Sequence, residues 1–188
     1  MITGGTIEVN MKLTNENKDA NILYALKKFS SVPGKDALQK IMYFASMKSN
    51  AFPFRWNKYG PYSEELKYAF DDAIMEGTVD YTKVDMPIKD SHQFNIKLTR
   101  QGEELLSSFV LDDITKESIE FAYQILKNKS PRRIELLSYV HYIANHNDSK
   151  IDVLSVLEIL KRLKPSDGFS LEDISSIMEE LRELKLIV

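Results

Sequence analysis

Apolar residues recur every three or four positions over most of this chain, the spacing that places them on one face of an α-helix. Several predicted helices begin at Ser, Thr or Asp, whose side-chain oxygens accept hydrogen bonds from free amides of a first turn. The expected starts lie near Glu16, Asp36, Glu64, Thr99, Ile114, Ser130, Asp152 and Ser170. The chain is therefore expected to be mainly helical.

Between the third and fourth of these helices the apolar period changes to two, as it does in β-strands. Two strands are predicted, one around Val79, Tyr81 and Val84 and one around Phe94, Ile96 and Leu98. The segment from Asp85 to Gln93 contains a proline and three charged residues, and it is expected to form the loop of a hairpin.

A second, shorter stretch of period two lies between the second and third helices, where aromatic residues alternate over positions 52–56. It predicts a short edge strand, because Pro53 has no N–H to donate to a neighbouring strand. Gly60-Pro61 predicts a tight turn in which Gly60 has a positive φ. Ser63 is a good N-cap for the helix that follows.

The order helix, helix, short strand, helix, hairpin, helix is that of a winged-helix domain, which we predict for residues 12–111. Residues 112–188 continue as helices and predict a C-terminal helical subdomain, although no Gly/Ser-rich linker marks the boundary. The helix expected from Asp152 to Leu163 is apolar over much of its surface and is expected to form the centre of this subdomain. The predicted fold class is mainly α with a small β-hairpin (α+β): a winged-helix-like N-terminal domain with a C-terminal helical subdomain.

Composition and motifs exclude several kinds of chemistry. The 188 residues include no cysteine, which removes disulfides, cysteine nucleophiles and thiolate metal sites. There is no catalytic or phosphate-binding motif, and His141 and His146 lie five residues apart, so a straight helix points them in different directions. We expect no enzymatic activity, no metal site and no cofactor. With no long apolar run and no signal peptide, a cytoplasmic protein outside the membrane is expected.

The aromatic turn is the strongest candidate for a binding surface, because tryptophan and tyrosine beside arginine are common in interaction hot spots. The predicted partner-binding residues are Arg55, Trp56, Lys58, Tyr59, Gly60, Pro61 and Tyr62. The alternative interpretation, in which these aromatic side chains pack as core between the flanking helices, stays open.

Charge argues against DNA recognition by the third helix, which would enter the groove in a winged-helix protein. Residues 63–76 carry five acidic side chains and one lysine, and the net charge of −4 opposes binding to phosphates. An alternative nucleic-acid face is formed by the basic residues Lys35, Lys40, Lys48, Arg55 and Lys58. We therefore expect a protein partner and regard nucleic acid as disfavoured, and homodimerisation stays open.

Two segments resemble a known family. They are Leu38-Gln39-Lys40-Ile41-Met42-Tyr43-Phe44-Ala45 and Tyr59-Gly60-Pro61-Tyr62-Ser63-Glu64-Glu65-Leu66, followed by Gly77. Together they resemble the Panacea-domain proteins, which include SocA-type antitoxins and phage-associated GepA-like proteins, and the related YwgA-like group. The resemblance covers about residues 36–77. It implies a winged-helix-like fold and, in the antitoxin members, a protein that binds and neutralises a partner.

These inferences lead to one expected function and one alternative. The expected function is that of a non-catalytic cytoplasmic protein-interaction module, with antitoxin-like neutralisation of a partner protein as its specific form. The alternative is a winged-helix transcription regulator that binds DNA.

Overall fold

A computed structural model describes residues 4–85, 92–147 and 151–188. The described residues form eight α-helices and two antiparallel two-stranded hairpins, so the prediction of a mainly helical chain with a small β component is confirmed. The elements in chain order are α1 (Gly4–Phe29), α2 (Gly34–Ser49), β1 (Arg55–Asn57), β2 (Gly60–Tyr62), α3 (Glu64–Met75), β3 (Val79–Asp85), β4 (His92–Leu98), α4 (Arg100–Ser108), α5 (Asp113–Leu126), α6 (Pro131–Asn145), α7 (Val153–Leu163) and α8 (Leu171–Glu183).

Most of the helices begin at a residue whose side chain caps them. At each such start the side-chain oxygen accepts a hydrogen bond from the backbone N–H three residues later, which satisfies an amide that has no partner within the helix. The capping residues are Ser63, Thr99, Asp112, Ser130, Asp152 and Ser170. The predicted caps at Ser63, Thr99 and Ser170 are therefore confirmed.

The first two helices begin earlier than predicted. α1 begins at Gly4 rather than near Glu16, and the pattern missed these twelve residues because positions 4–15 lack a regular apolar stripe. α2 follows Pro33, which offers no side-chain cap. Asp36 lies inside the first turn of α2, where its charge faces the positive end of the helix dipole instead of capping an amide.

Contacts divide the chain into two compact units. Unit 1 comprises Met1–Pro53 and Ser63–Lys127, and unit 2 comprises Phe54–Tyr62 and Asn128–Val188. These units differ from the predicted ranges 12–111 and 112–188 in two places. α5 belongs to unit 1 because it packs against α1 and α2, and the β1–β2 hairpin belongs to unit 2 because β2 packs against α6.

The core of unit 1 is built around α2, whose residues from Leu38 to Ser46 are all buried. α2 packs against α5 and β4, while α1 packs against α3, α4 and α5. Leu38, Ile41 and Phe70 are buried in this core, and Ile74 is half-buried.

The β3–β4 hairpin of unit 1 has the predicted strands, with Val79 opposite Leu98 and Tyr81 opposite Ile96. Its connecting loop, predicted between Asp85 and Gln93, lies largely outside the described residues. A further bridge joins β4 to the segment between α1 and α2. Val32 N donates to Ile96 O at 2.9 Å, and Ile96 N donates to Val32 O at 2.8 Å.

Unit 2 is centred on α6, although its sequence suggested α7 for that position. Every residue from Leu136 to His141 is buried, and α6 packs against α7, α8 and β2. α7 is apolar over much of its length, but Leu154 and Leu163 are exposed. Composition alone did not identify the central helix, because burial depends on how many neighbouring elements surround it.

Truncating Phe70 to alanine should lower the free energy of unfolding by about 3–5 kcal/mol, because a buried ring is lost and a cavity remains. The ring is buried and makes an edge-on contact with Tyr81, at 5.9 Å between centroids. Urea denaturation is the measurement. Met75→Ala, an exposed position in the same helix, is the control and should change stability by less than about 0.5 kcal/mol. Equal effects of the two changes would contradict this account of the core.

Candidate functional site

The aromatic turn predicted from the sequence is a complete small hairpin. Asn57 lies opposite Gly60, so Lys58 and Tyr59 form a two-residue turn between β1 and β2. Asn57 Oδ1 accepts a hydrogen bond from the N–H of Tyr59 at 2.7 Å. The predicted turn at Gly60-Pro61 is therefore displaced: Gly60 and Pro61 begin the second strand, and the first strand starts at Arg55. The pattern missed β2 because a strand of three residues has too few positions to show a period.

Trp56 attaches this hairpin to α6 of the same unit. Its ring lies 5.4 Å from the ring of Tyr139 and 5.6 Å from that of Tyr142, measured between centroids, and both pairs are tilted. The backbone N–H of Trp56 also donates to the hydroxyl of Tyr142 at 3.1 Å. Tilted aromatic pairs stabilise a fold by more than their buried area alone provides. The hydrogen bond also fixes the position of β1 along α6.

Gly60 makes the close approach of the hairpin to α6 possible. It is buried, its φ is +85°, and a Cβ atom at this position would overlap ring carbons of Tyr139. The predicted positive φ is thus confirmed. The position needs glycine for two independent reasons, because any side chain would be strained by the backbone and would collide with the ring.

The polar end of Tyr139 is also held. Lys164 Nζ donates to the Tyr139 hydroxyl at 2.8 Å and lies 3.5 Å from a carboxylate oxygen of Asp167. Burial raises the pKa of Tyr139 above its ordinary value, which keeps the hydroxyl protonated at neutral pH. The ring that supports the hairpin is consequently fixed at its face and at its hydroxyl.

The seven predicted partner-binding residues separate into two groups. Gly60 and Pro61 are buried, and Trp56 is half-buried against α6. The others are Arg55, Lys58, Tyr59 and Tyr62, which we call the hairpin tip: Arg55, Lys58 and Tyr59 are exposed and Tyr62 is half-buried. Tyr59 is 42% exposed, and the Lys58 ammonium lies 4.7 Å from its ring centroid. Core packing therefore accounts for the first group, and the tip is the part that faces outward.

The alternative nucleic-acid face loses one member. Lys40 is only 1% exposed, so its charge cannot contact a phosphate backbone. Lys35 is bonded to Asp71 at 2.7 Å, and the Lys48 ammonium lies 4.9 Å from the ring centroid of Phe121. The sequence did not reveal the burial of Lys40 because a lysine on an amphipathic helix is normally exposed.

The two segments that carry the family resemblance are joined by a reciprocal pair of hydrogen bonds in unit 1. Gln39 Nε2 donates to the backbone O of Ser63 at 3.0 Å, and Gln39 Oε1 accepts from the backbone N–H of Ser63 at 2.9 Å. Both residues are buried. A glutamine side chain can satisfy both backbone groups of one residue, which holds the start of α3 against α2.

Sequence reasoning missed Tyr139 and Tyr142 as parts of the site. A signal was present, because Tyr139, Tyr142 and His146 are spaced by three and four residues and so share one face of a helix. In the structure the Tyr142 and His146 rings are stacked, with centroids 3.8 Å apart. Helical aromatic stripes are common in cores, so nothing in the pattern pointed to the hairpin.

Other candidate chemistry is limited in the described part of the chain. His141 is 1% exposed, and its Nε2 lies 2.7 Å from Asn145 Nδ2. Burial lowers the pKa of His141 to about 4. Within residues 4–85, 92–147 and 151–188 we find no group of three or more His, Asp or Glu side chains placed to hold a metal ion. Over the same residues, none of the helices combines the length and the apolar character that crossing a membrane requires.

Replacing Gly60 by alanine should destabilise the protein by about 3 kcal/mol or more, because it combines backbone strain with overlap of the Tyr139 ring. Unfolding can be followed by the fluorescence of the single tryptophan, which lies in the hairpin. Gly168→Ala is the matched control, since Gly168 also has a positive φ (60°) but open space around it. The control should cost only about 1–2 kcal/mol, and equal losses would show that the Tyr139 contact is unimportant.

The stability of the protein should decrease as the pH falls from 6.5 towards 4. In this range the unfolded chain binds a proton at His141, whose ordinary pKa is 6.5, while the folded chain does not. The free energy of unfolding should fall by at most about 3 kcal/mol at the acidic end of this range. Thermal unfolding at several pH values tests this. The stability of the His141→Gln variant should depend less steeply on pH than that of the wild type. His146 is exposed, and the His146→Gln variant should keep the pH dependence of the wild type.

No protein-family model matches the chain, and no curated protein sequence matches it. The resemblance to Panacea-domain and YwgA-like proteins stays a prediction that rests on the two segments joined by Gln39 and Ser63.

Proposed function

We propose that the protein is a non-catalytic interaction module whose hairpin tip binds a protein partner. The observation that carries this proposal is the attachment of Trp56 to Tyr139 and Tyr142, which leaves Arg55 and Tyr59 exposed on a firmly held base. Tyrosine and arginine are enriched among residues that dominate binding energy. A firmly held tip also loses little conformational entropy on binding, so more of the contact energy appears as affinity.

The tip is too small to be a whole interface. Stable protein complexes bury about 800 Å² on each partner, and four side chains of a short hairpin cover only part of that. We therefore assign the tip the role of a hot spot, with Tyr59 supplying contact area and the cations of Arg55 and Lys58 supplying attraction to an acidic patch.

For unit 1 we propose the winged-helix arrangement. The bridge between Val32 and Ile96 supports it, since it pairs the segment between α1 and α2 with β4 of the hairpin. The Gln39–Ser63 pair supports the resemblance to Panacea-domain proteins, because it gives the two shared segments a common structural role. Antitoxin-like neutralisation of a partner protein is the specific form of the proposed function.

A DNA-binding transcription regulator is the second candidate, and the same Val32–Ile96 bridge favours it. The charge on α3 disfavours it. Its acidic side chains at Glu64, Glu65, Asp72 and Glu76 are all exposed, and a helix inserted in the major groove would bring them near phosphates. We therefore rank DNA binding below protein binding.

Replacing Tyr59 by alanine should weaken partner binding by about 2 kcal/mol, roughly a 30-fold loss of affinity, without a change in melting temperature. The measurement has two steps: a stoichiometric partner is captured from native lysate on the wild-type protein, and its affinity is then measured by calorimetry. Leu154→Ala is the control, because Leu154 is an exposed apolar residue of the same unit that lies outside the hairpin. It should leave affinity unchanged.

Duplex DNA, of random sequence and from upstream regions, is titrated in parallel at physiological salt. Sequence-specific DNA binding below about 1 μM, in the range typical of regulators, together with no captured protein would reverse the ranking. Weak, salt-sensitive DNA binding that Tyr59→Ala leaves unaltered agrees with the proposal.

A further inference from the structure

The outer face of α3 in unit 1 carries two large apolar side chains that no other described element covers. Tyr68 is 60% exposed and Met75 is 78% exposed. Residues 68, 72, 75 and 76 lie on one face of the helix, because their spacing follows its turns. Single exposed apolar residues are common, but Tyr68 lines a groove between α1 and α3 with a volume of about 330 Å³.

The groove is strongly acidic. Its lining includes Lys18 and Asp19 from α1 and Glu65, Tyr68, Asp72 and Glu76 from α3. Four carboxylates line the groove, and one of them, Glu65, is bonded to the Lys18 ammonium at 2.8 Å. Asp71, which adjoins this face of α3, is bonded to Lys35 at 2.7 Å, so its charge is balanced. The described side chains that line the groove therefore carry a net negative charge on the side of α3 that bears Tyr68.

We propose that the groove between α1 and α3 binds an arginine-bearing segment of a protein partner. A guanidinium group is planar, stacks on aromatic rings and donates hydrogen bonds to two carboxylate oxygens at once, and the groove offers Tyr68 beside Asp72 and Glu76. The ring already attracts a cation, because the ammonium of Lys67 lies 4.7 Å from its centroid. An incoming guanidinium uses the other face of the ring or displaces this lysine.

Charge complementarity selects this occupant over the others. Nucleic acid is repelled by the four carboxylates, and an acidic peptide is repelled for the same reason. Lysine is a weaker fit than arginine, because its compact ammonium neither stacks on a ring as a plane nor bonds a carboxylate through two parallel donors. Met75, on the same face as Tyr68, adds apolar contact for a neighbouring side chain of the segment.

This surface is distinct from the hairpin tip in position and in chemistry. The tip belongs to unit 2 and carries the cations Arg55 and Lys58, whereas the groove belongs to unit 1 and carries carboxylates. The two surfaces suit partner segments of opposite charge, so each can be removed by mutation without touching the other.

The test is fluorescence anisotropy of the full-length protein with a labelled peptide of alternating arginine and leucine. The variant Asp72→Asn/Glu76→Gln should lower its affinity at least about tenfold. The charge-matched control, Asp80→Asn/Glu103→Gln, removes the same charge at exposed positions of unit 1 outside the groove. It should lower affinity by less than about threefold, because only long-range attraction is lost.

The ring gives a second test. Tyr68→Ala should lower affinity about tenfold, while Tyr68→Phe, which keeps the stacking surface, should stay near the wild type. A lysine–leucine peptide of the same length should bind more weakly than the arginine peptide. Tyr59→Ala should leave peptide affinity unchanged, so failure at the groove and failure at the hairpin tip are separable.

Three outcomes would overturn the proposal. They are equal losses in the groove variant and in its charge-matched control, equal affinities for the arginine and lysine peptides, and no binding of either peptide by the wild type. The first would mean general electrostatic attraction, and the second would mean a point-charge contact without stacking. Melting curves of all variants establish that each is folded, which is expected since the altered side chains are exposed.

Discussion

The pairing of Gln39 with Ser63 is the constraint on which much of this structure depends. One buried amide satisfies both the N–H and the C=O of Ser63, while the hydroxyl of the same serine caps α3. A buried polar group without a partner is costly, and separating Ser63 from Gln39 would leave the buried N–H of Ser63 unsatisfied. The start of α3 is therefore tied to α2, and with it the direction of the helix that carries the acidic groove.

That constraint explains how a short segment can belong to a different unit from its neighbours in sequence. The chain leaves unit 1 after Pro53 and returns to it at Ser63. Because Gln39 holds Ser63 in place, residues 54–62 can make their contacts within unit 2 without disturbing the start of α3. They form a hairpin whose ring at Trp56 packs on two tyrosines of α6. The same residues that the resemblance singles out thus serve two structural roles, one in each unit.

The two proposed surfaces depend on which charged and aromatic residues of each unit are used in packing or ion pairs and which are exposed. In unit 2 the ring of Trp56 packs against α6, and the cations of Arg55 and Lys58 are exposed. In unit 1, Lys18 and Lys35 are paired with Glu65 and Asp71, while Asp72 and Glu76 are exposed on the outer face of α3. Each unit thus presents an exposed aromatic ring beside charged side chains, and the charges on the two units are opposite in sign. Such surfaces suit a protein that contacts other proteins.

Local sequence determined the features that depend on near neighbours. Helix starts at Ser63, Thr99 and Ser170, the strands at 79–85 and 92–98 and the positive φ of Gly60 all follow from side chains within a few positions. Only the tertiary structure decided which side chains are covered. Lys40 is buried and Tyr68 is exposed although both lie on amphipathic helices, α6 rather than α7 is central, and Trp56 is attached to tyrosines more than 80 residues away. Burial and long-range pairing depend on which elements meet in space, and a periodic pattern records only that a face is apolar, not what will cover it.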